Sequence, residues 1–212
     1  MEFQPLKYIY KPSGNKDAYT LLLLHGTGGD ENDLLPLAAY FGDGFNILSL
    51  RGNVLEHGMP RFFKRLGMGI FDEQDLAFRT HEMIAFIKTL SAGEGFDPAK
   101  IISLGYSNGA NITGSAFYLY PGFFAGAIMY RSMQPFKVLP VLEGKQPTPV
   151  FMSNGIQDPT INIADTRSYI AQLQSAGFEV SDHLLPAGHN LTQEDLSLSV
   201  DWYQKHFGHG TV

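Results

Sequence analysis

An α/β fold, a mainly parallel sheet with helices on both faces, is predicted by three features of the sequence. Apolar runs of strand length alternate with longer stretches of helical spacing. One run, Leu21-Leu22-Leu23-Leu24, is apolar on both faces, as a strand buried between two helix layers must be. Further on, Lys100 to Leu104 breaks through Gly105-Tyr106-Ser107-Asn108-Gly109-Ala110 into Asn111-Ile112-Thr113-Gly114, so strand, sharp turn and helix are written in that order.

Taken along the chain, the expected strands are Leu6 to Tyr10, Tyr19 to Leu24, Phe45 to Leu50, Lys100 to Leu104, Phe124 to Tyr130, Pro149 to Ser153 and Glu179 to Leu185. Between the second and third, Leu34 to Tyr40 reads as a helix capped by the acids Asp30, Glu31 and Asp33. A long helix carries Leu76, Met83, Ile84, Ile87 and Leu90 on its core face. Another, within Ile161 to Ser175, uses Ile163, Ile170 and Leu173, and the last uses Leu196, Val200, Tyr203 and Phe207 after an opening at Thr192-Gln193-Glu194-Asp195. Repeats, low-complexity tracts and linker-like shifts are absent, so residues 1–212 are expected to form one domain.

Composition narrows the function. The 212 residues are 44% hydrophobic, enough for one sizeable core. Lys+Arg 15 against Asp+Glu 21 gives a formal net charge of -6, and the only basic cluster is the short Arg61 to Arg65, which argues against a nucleic-acid partner. No apolar run approaches a membrane span and the N-terminus has no apolar leader, so a cytoplasmic protein is expected. With zero cysteines, thiol mechanisms and Cys-based metal sites drop out. No metal or cofactor is expected; the partner is a small molecule, and a homodimer is compatible with the sequence.

Ser107 is the candidate nucleophile, because Gly105 and Gly109 let strand and helix approach and leave the serine exposed on a strained turn. A hydroxyl of this kind needs a base, and the base needs an acid to orient it. On such a sheet the acid follows a later strand and the histidine follows the last one. Asp158, beyond Pro149-Val150-Phe151-Met152, and His189, in Pro186-Ala187-Gly188-His189-Asn190, satisfy that order. Asp165 and Asp182 are weaker rivals, one within a helix and one within the last strand. Among the other histidines, His57 lies in a loop, His81 on a helix, His183 in a strand, and His206 and His209 in a fraying tail. An oxyanion needs two backbone N–H donors, and those of Asn108 and Thr27 are the candidates, the latter from His25-Gly26-Thr27-Gly28-Gly29.

Two other chemistries fail on spacing. As a dinucleotide fingerprint the glycine loop has Glu31 where the third glycine belongs, and its acids would repel a pyrophosphate. His81-Glu82 opens a zinc-protease pattern, but Ala85 occupies the second histidine position.

Together, the His25-Gly26-Thr27-Gly28-Gly29 loop, the Gly105-to-Asn111 turn, Asp158-Pro159 and Gly188-His189 resemble the bacterial carboxylesterase/phospholipase family of small α/β-hydrolases, over nearly the whole chain. The segment from Arg51-Gly52-Asn53-Val54 through Gly58-Met59-Pro60-Arg61-Phe62-Phe63 to Phe71-Asp72-Glu73 resembles the branch found in bacterial quinone-stress operons. The resemblance implies an α/β-hydrolase fold without a large lid domain, metal-independent ester hydrolysis, and Ser107, Asp158 and His189 as a triad. One departure is Asp158-Pro159-Thr160-Ile161-Asn162, where relatives often continue with an apolar residue and end in proline. Met59, Phe62, Phe63 and Met68 are candidate acyl-pocket walls, Arg61 a candidate contact for an anionic group, and Met133 and Gln134 a second wall. The expected activity is hydrolysis of short-chain carboxylic esters or thioesters. A lactone or aryl-ester hydrolase of the dienelactone type and a weakly catalytic binding protein are the alternatives.

Overall fold

The computed structural model describes residues 2–208. Its central sheet has seven strands: β1 (Lys7–Lys11), β2 (Thr20–Leu24), β3 (Asn46–Arg51), then, numbering all strands in chain order, β8 (Ile101–Tyr106), β9 (Gly126–Tyr130), β10 (Pro149–Gly155) and β11 (Glu179–Leu185). The missing numbers are four short strands, β4 (Val54–Glu56), β5 (Met59–Arg61), β6 (Arg65–Gly67) and β7 (Ile70–Phe71), which form two hairpins. Across the sheet the order is β1-β3-β2-β8-β9-β10-β11. Only β1 runs antiparallel; every other pairing is parallel.

Alternation along β2 explains the two-layer core. Leu22 and Leu24 join the cluster that holds Met83 and Ile87 of α2 (Glu73–Glu94), Ile112 of α3 (Asn108–Leu119), and Leu173 of α4 (Ile163–Ser175). Leu21 and Leu23 face the other way, onto Ala38 of α1 (Leu35–Ala38) and onto Trp202, Tyr203 and Phe207 of α5 (Gln193–Phe207). Such a strand loses water from both faces, which is why it is continuously apolar. No large lid domain covers the sheet's carboxyl edge among the described residues. No helix of the described residues is long and apolar enough to cross a membrane.

Strand positions agree with the sequence reading to within about two residues, an ordinary boundary error. The first helix does not. It spans four residues and continues as a single 3-10 turn at Ala39–Phe41, with no acid in its first turn. Asp30 and Glu31 instead pair with the Arg51 guanidinium at the end of β3, so these acids hold a loop to a strand and do not cap a helix. The other end of the chain is also more ordered than expected: α5 runs through Phe207, and His206 packs against Trp202 with ring centroids 5.1 Å apart. His209 lies outside the described residues.

Register sets the site. Leu24 pairs with both Leu50 and Gly105, Tyr106 with Tyr130, and Gly155 with Leu185. The loops after β2, β8, β9, β10 and β11 therefore leave the sheet on one edge, the carboxyl edge, where ligands of open α/β sheets bind.

Gly109 makes the tightest of these approaches: a Cβ there would lie 1.9 Å from the Leu24 carbonyl oxygen. Backbone cannot yield to it as a side chain would, so Gly109→Ala should destabilise the protein by about 1–3 kcal/mol in urea unfolding. Gly93, inside α2 with open space where its Cβ would stand, is the control. Gly93→Ala should be neutral or stabilise by up to about 1 kcal/mol; equal losses in the two variants would contradict the account.

Candidate active site

Ser107 follows β8 directly and is the residue before α3, with φ 51° and ψ −111°. A non-glycine residue holds that conformation only where its surroundings enforce it. Here the Ser107 N–H donates to the Tyr130 carbonyl at 2.8 Å, and a Cβ on Gly105 would strike Ala110 N at 2.6 Å. The strand-to-helix turn is thus pinned from below and has room for glycine only. Its side chain stands clear of the backbone, and Ser107 Oγ lies 3.0 Å from His189 Nε2.

Asp158 and His189 meet because their loops prolong the β10–β11 ladder. Ile156 N–H donates to Leu185 O at 2.8 Å and Gln157 N–H to Ala187 O at 3.0 Å. At Gly155 a side chain would collide with the Ala187 and Gly188 carbonyls at 2.3 and 2.4 Å. Beyond this zipper, His189 Nδ1 lies 2.7 Å from Asp158 Oδ2. Asp158 is 4% exposed, and its other oxygen accepts from the Thr160 N–H and hydroxyl at 2.9 and 2.7 Å. Burial works to raise the Asp158 pKa, but the hydrogen bonds from the Thr160 hydroxyl, His189 and the Thr160 N–H together hold it below the ordinary carboxylate value. An ionised acid at this position fixes the proton of His189 on Nδ1 and leaves Nε2 to accept from the serine. The Thr160 hydroxyl supplies a donor that an apolar residue at this position would lack. Asp165 lies on α4 and Asp182 on β11, apart from this chain of hydrogen bonds. His57 sits in the β4–β5 turn with φ 51°, His81 bonds Tyr120 on α2, and His183 stacks on Phe151.

Thr27 and Asn108 come to the same place. Asn108 is the first residue of α3, where backbone N–H groups have no intrahelical acceptor, and no partner is found for the N–H of Asn108 or of Thr27 among the described residues. The loop carrying Thr27 is held from both sides. On one, Gly28 N–H donates to Pro60 O at 3.0 Å and Arg61 Nη1 donates to the Thr27 hydroxyl. On the other, the buried His25 ring accepts from Gly52 N–H at Nε2, so its proton is on Nδ1, bonded to Gly26 O at 2.6 Å. Burial pushes the His25 pKa down and keeps that ring neutral. Two backbone donors so held can receive a developing oxyanion.

A cavity of about 270 Å³ opens in front of Ser107 and His189. Of the expected wall residues, Arg61, Met68 and Met133 line it. Phe62 and Phe63 do not: they are 1% and 0% exposed inside the core, Phe62 beside His25 and Phe63 edge-on to Phe71, because they anchor the hairpins to the sheet. Met59 stays on the outer hairpin, 38% exposed. Gln134 lines a neighbouring cavity of about 320 Å³, which shares Gly69, Phe71, Met133 and Thr160 with the first.

Sequence reasoning missed the supports. Arg131, with φ 54°, donates to the carbonyls of Gly188 at 3.0 Å and Asn190 at 2.8 Å, the two residues flanking His189, and is anchored by Asp195. Tyr106 OH donates to the His189 carbonyl at 3.0 Å. Asn108 Oδ1 accepts from Phe62 N–H and Asn111 Oδ1 from Met133 N–H, each at 2.7 Å, so α3 ties down two cavity walls. An arginine directly after the apolar run ending at Tyr130 was the one available signal.

No protein-family model matches the chain. It is 40% identical over 202 residues, 94% of its length and 98% of the relative's, to the Bacillus subtilis (strain 168) protein named "Putative hydrolase MhqD". Among solved structures, the Bacillus cereus carboxylesterase superposes with a TM-score of 0.91 at 39% identity, over 95% of each chain. YahD, solved with malic acid, gives 0.87 at 30% identity over 95% of this chain and 99% of its own.

Proposed function

Since the chain belongs to the bacterial carboxylesterase family of small α/β-hydrolases and is an ester-hydrolysing enzyme, we propose that it is a serine esterase that cleaves short-chain esters or thioesters through an acyl-enzyme. The observation that carries this reading is the continuous hydrogen-bonded path from Ser107 Oγ through His189 to Asp158, at 3.0 and 2.7 Å. In it, His189 Nε2 takes the serine proton as Oγ attacks the ester carbonyl, and Asp158 stabilises the imidazolium that results. The carbonyl oxygen becomes an oxyanion held by the Thr27 and Asn108 N–H groups, each donor contributing about 3 kcal/mol to the barrier reduction. Collapse expels the alcohol, which takes the proton from His189; water then repeats the sequence and releases the acid. The small cavity, about 270 Å³, favours a short acyl chain.

The test is covalent capture. A fluorophosphonate probe should label the peptide containing Ser107, and the labelling rate should fall in acid, where a protonated His189 can no longer accept the serine proton. Because the Asp158 pKa is held below the ordinary carboxylate range, that acid stays ionised over the range tested, and the logarithm of the rate should rise with a slope of one, as for a single ionisation. Labelling at another residue, or a rate flat from about pH 5 to 9, would refute the assignment.

A further inference from the structure

The cavity in front of Ser107 is cationic on an acidic chain. Three arginines, Arg61, Arg65 and Arg131, are lining residues, and no carboxylate lines it, although the chain as a whole has a formal net charge of -6. Arg131 is committed to Asp195. Arg61 and Arg65 share a single acid, Glu56, whose Oε2 lies 3.3 Å from Arg61 Nε and whose Oε1 lies 2.9 Å from Arg65 Nε. Two guanidinium groups against one carboxylate leave one positive charge in excess. Each also has a nitrogen to spare: Arg61 uses Nε and Nη1, Arg65 uses Nε and Nη1, and neither Nη2 has a protein partner among the described residues. Arg61 is 3% exposed, and burial together with the charge of Arg65 pulls its pKa below the ordinary value. Holding the two cations together is therefore costly, and a bound anion offsets that cost. Their place in the fold is specific as well, since Arg61 also donates to the Thr27 hydroxyl on the loop facing Ser107.

We propose that Arg61 and Arg65 form a carboxylate-binding subsite of the Ser107 cavity, so that the substrate is a small ester bearing a free carboxylate. This rests on the serine-esterase reading of the same cavity. A monoanion matches the single excess charge, and guanidinium groups match a carboxylate in shape as well as in charge.

The experiment compares two p-nitrophenyl esters of equal reach, the monoester of glutaric acid and the 5-methylhexanoate, in which an isopropyl group replaces the carboxylate. The expected ratio of kcat/KM, charged over neutral, is about 10 or more, the effect of one charge-assisted hydrogen bond. That ratio should fall about tenfold in Arg65→Gln, recover in part in Arg65→Lys, rise in Glu56→Gln and shrink with added salt. A ratio of one or less in the unaltered protein, or one that neither Arg65→Gln nor Glu56→Gln moves, overturns the subsite while leaving the esterase reading intact. A phosphorylated acyl ester preferred over the glutarate ester overturns the assignment to a carboxylate. Calorimetric binding of the glutarate monoester to Ser107→Ala, with and without Arg65→Gln, reads the subsite with no turnover. Arg65-dependent binding to a protein that hydrolyses neither ester would keep the subsite and reject the serine esterase.

Discussion

Ser107→Ala should lower kcat for p-nitrophenyl esters by about 10³- to 10⁶-fold with little change in stability. The size follows from the role proposed for the hydroxyl: its oxygen would bond the acyl group, and among the described residues no other hydroxyl bonds His189 Nε2. What would remain is the proposed backbone donation from Thr27 and Asn108 to the oxyanion, which would still favour attack by water. Stability should hold because the turn is fixed by groups that the substitution leaves alone. The residue 107 N–H keeps its bond to Tyr130 O, Gly105 and Gly109 keep their close contacts, and an alanine meets the same positive φ as the serine. Only the 3.0 Å bond to His189 is lost, a change of about 1 kcal/mol. If the three residues act as a unit, Ser107→Ala combined with His189→Ala should be no slower than either alone. Multiplying losses in the double variant, or more than a tenth of the activity in the single one, would mean a different nucleophile.

The residues that do the proposed chemistry were legible in the sequence because each sits in a short local pattern. Ser107 lies in its strand-turn-helix, Asp158 and His189 just past apolar runs, and Thr27 in a glycine loop after Leu24. What was not legible depends on contacts distant in sequence. The segment from Arg51 to Phe71 reads as a long loop because its hairpin strands are two or three residues long, too short for a period of two to register. Its aromatic pair reads as a pocket wall because hydrophobicity alone does not say which side of a hairpin faces the core. The acids at Asp30 and Glu31 read as a helix cap because the local pattern carries no mark of Arg51, twenty residues on, which claims them. Arg131 and Asp195 are 64 residues apart, and only the fold reveals that one basic group serves the His189 loop, strand β10 and a helix cap.

That group carries the second large expectation: Arg131→Met should cost about 3–5 kcal/mol of stability and nearly all esterase activity. Both side chains of the Arg131–Asp195 pair are 0% exposed, with Nη2 2.7 Å from Oδ2 and Nη1 2.7 Å from Oδ1. Removing the cation leaves Asp195 buried with only the Ser153 hydroxyl and the Thr192 N–H and hydroxyl to satisfy it. Burial works to raise the Asp195 pKa, but Arg131 and these donors hold it below the ordinary carboxylate value. A carboxylate depressed in the folded state stabilises the protein above its unfolded pKa of about 3.9, and that contribution is lost as pH falls through the folded value. In Arg131→Met the Asp195 pKa rises towards or above its unfolded value, so the loss of stability that Asp195 brings on acidification should shrink or reverse, and the gap to the unaltered protein should narrow as pH falls through about 4. Activity separates the two duties of the arginine. Arg131→Met with Asp195→Leu replaces the ion pair by apolar side chains, which should restore much of the melting temperature. The Gly188 and Asn190 carbonyls would still have no guanidinium to hold them, so His189 should stay misaligned and kcat should stay low. Recovery of kcat in step with the melting temperature would instead show that Arg131 holds the fold together and has no part in aiming the histidine.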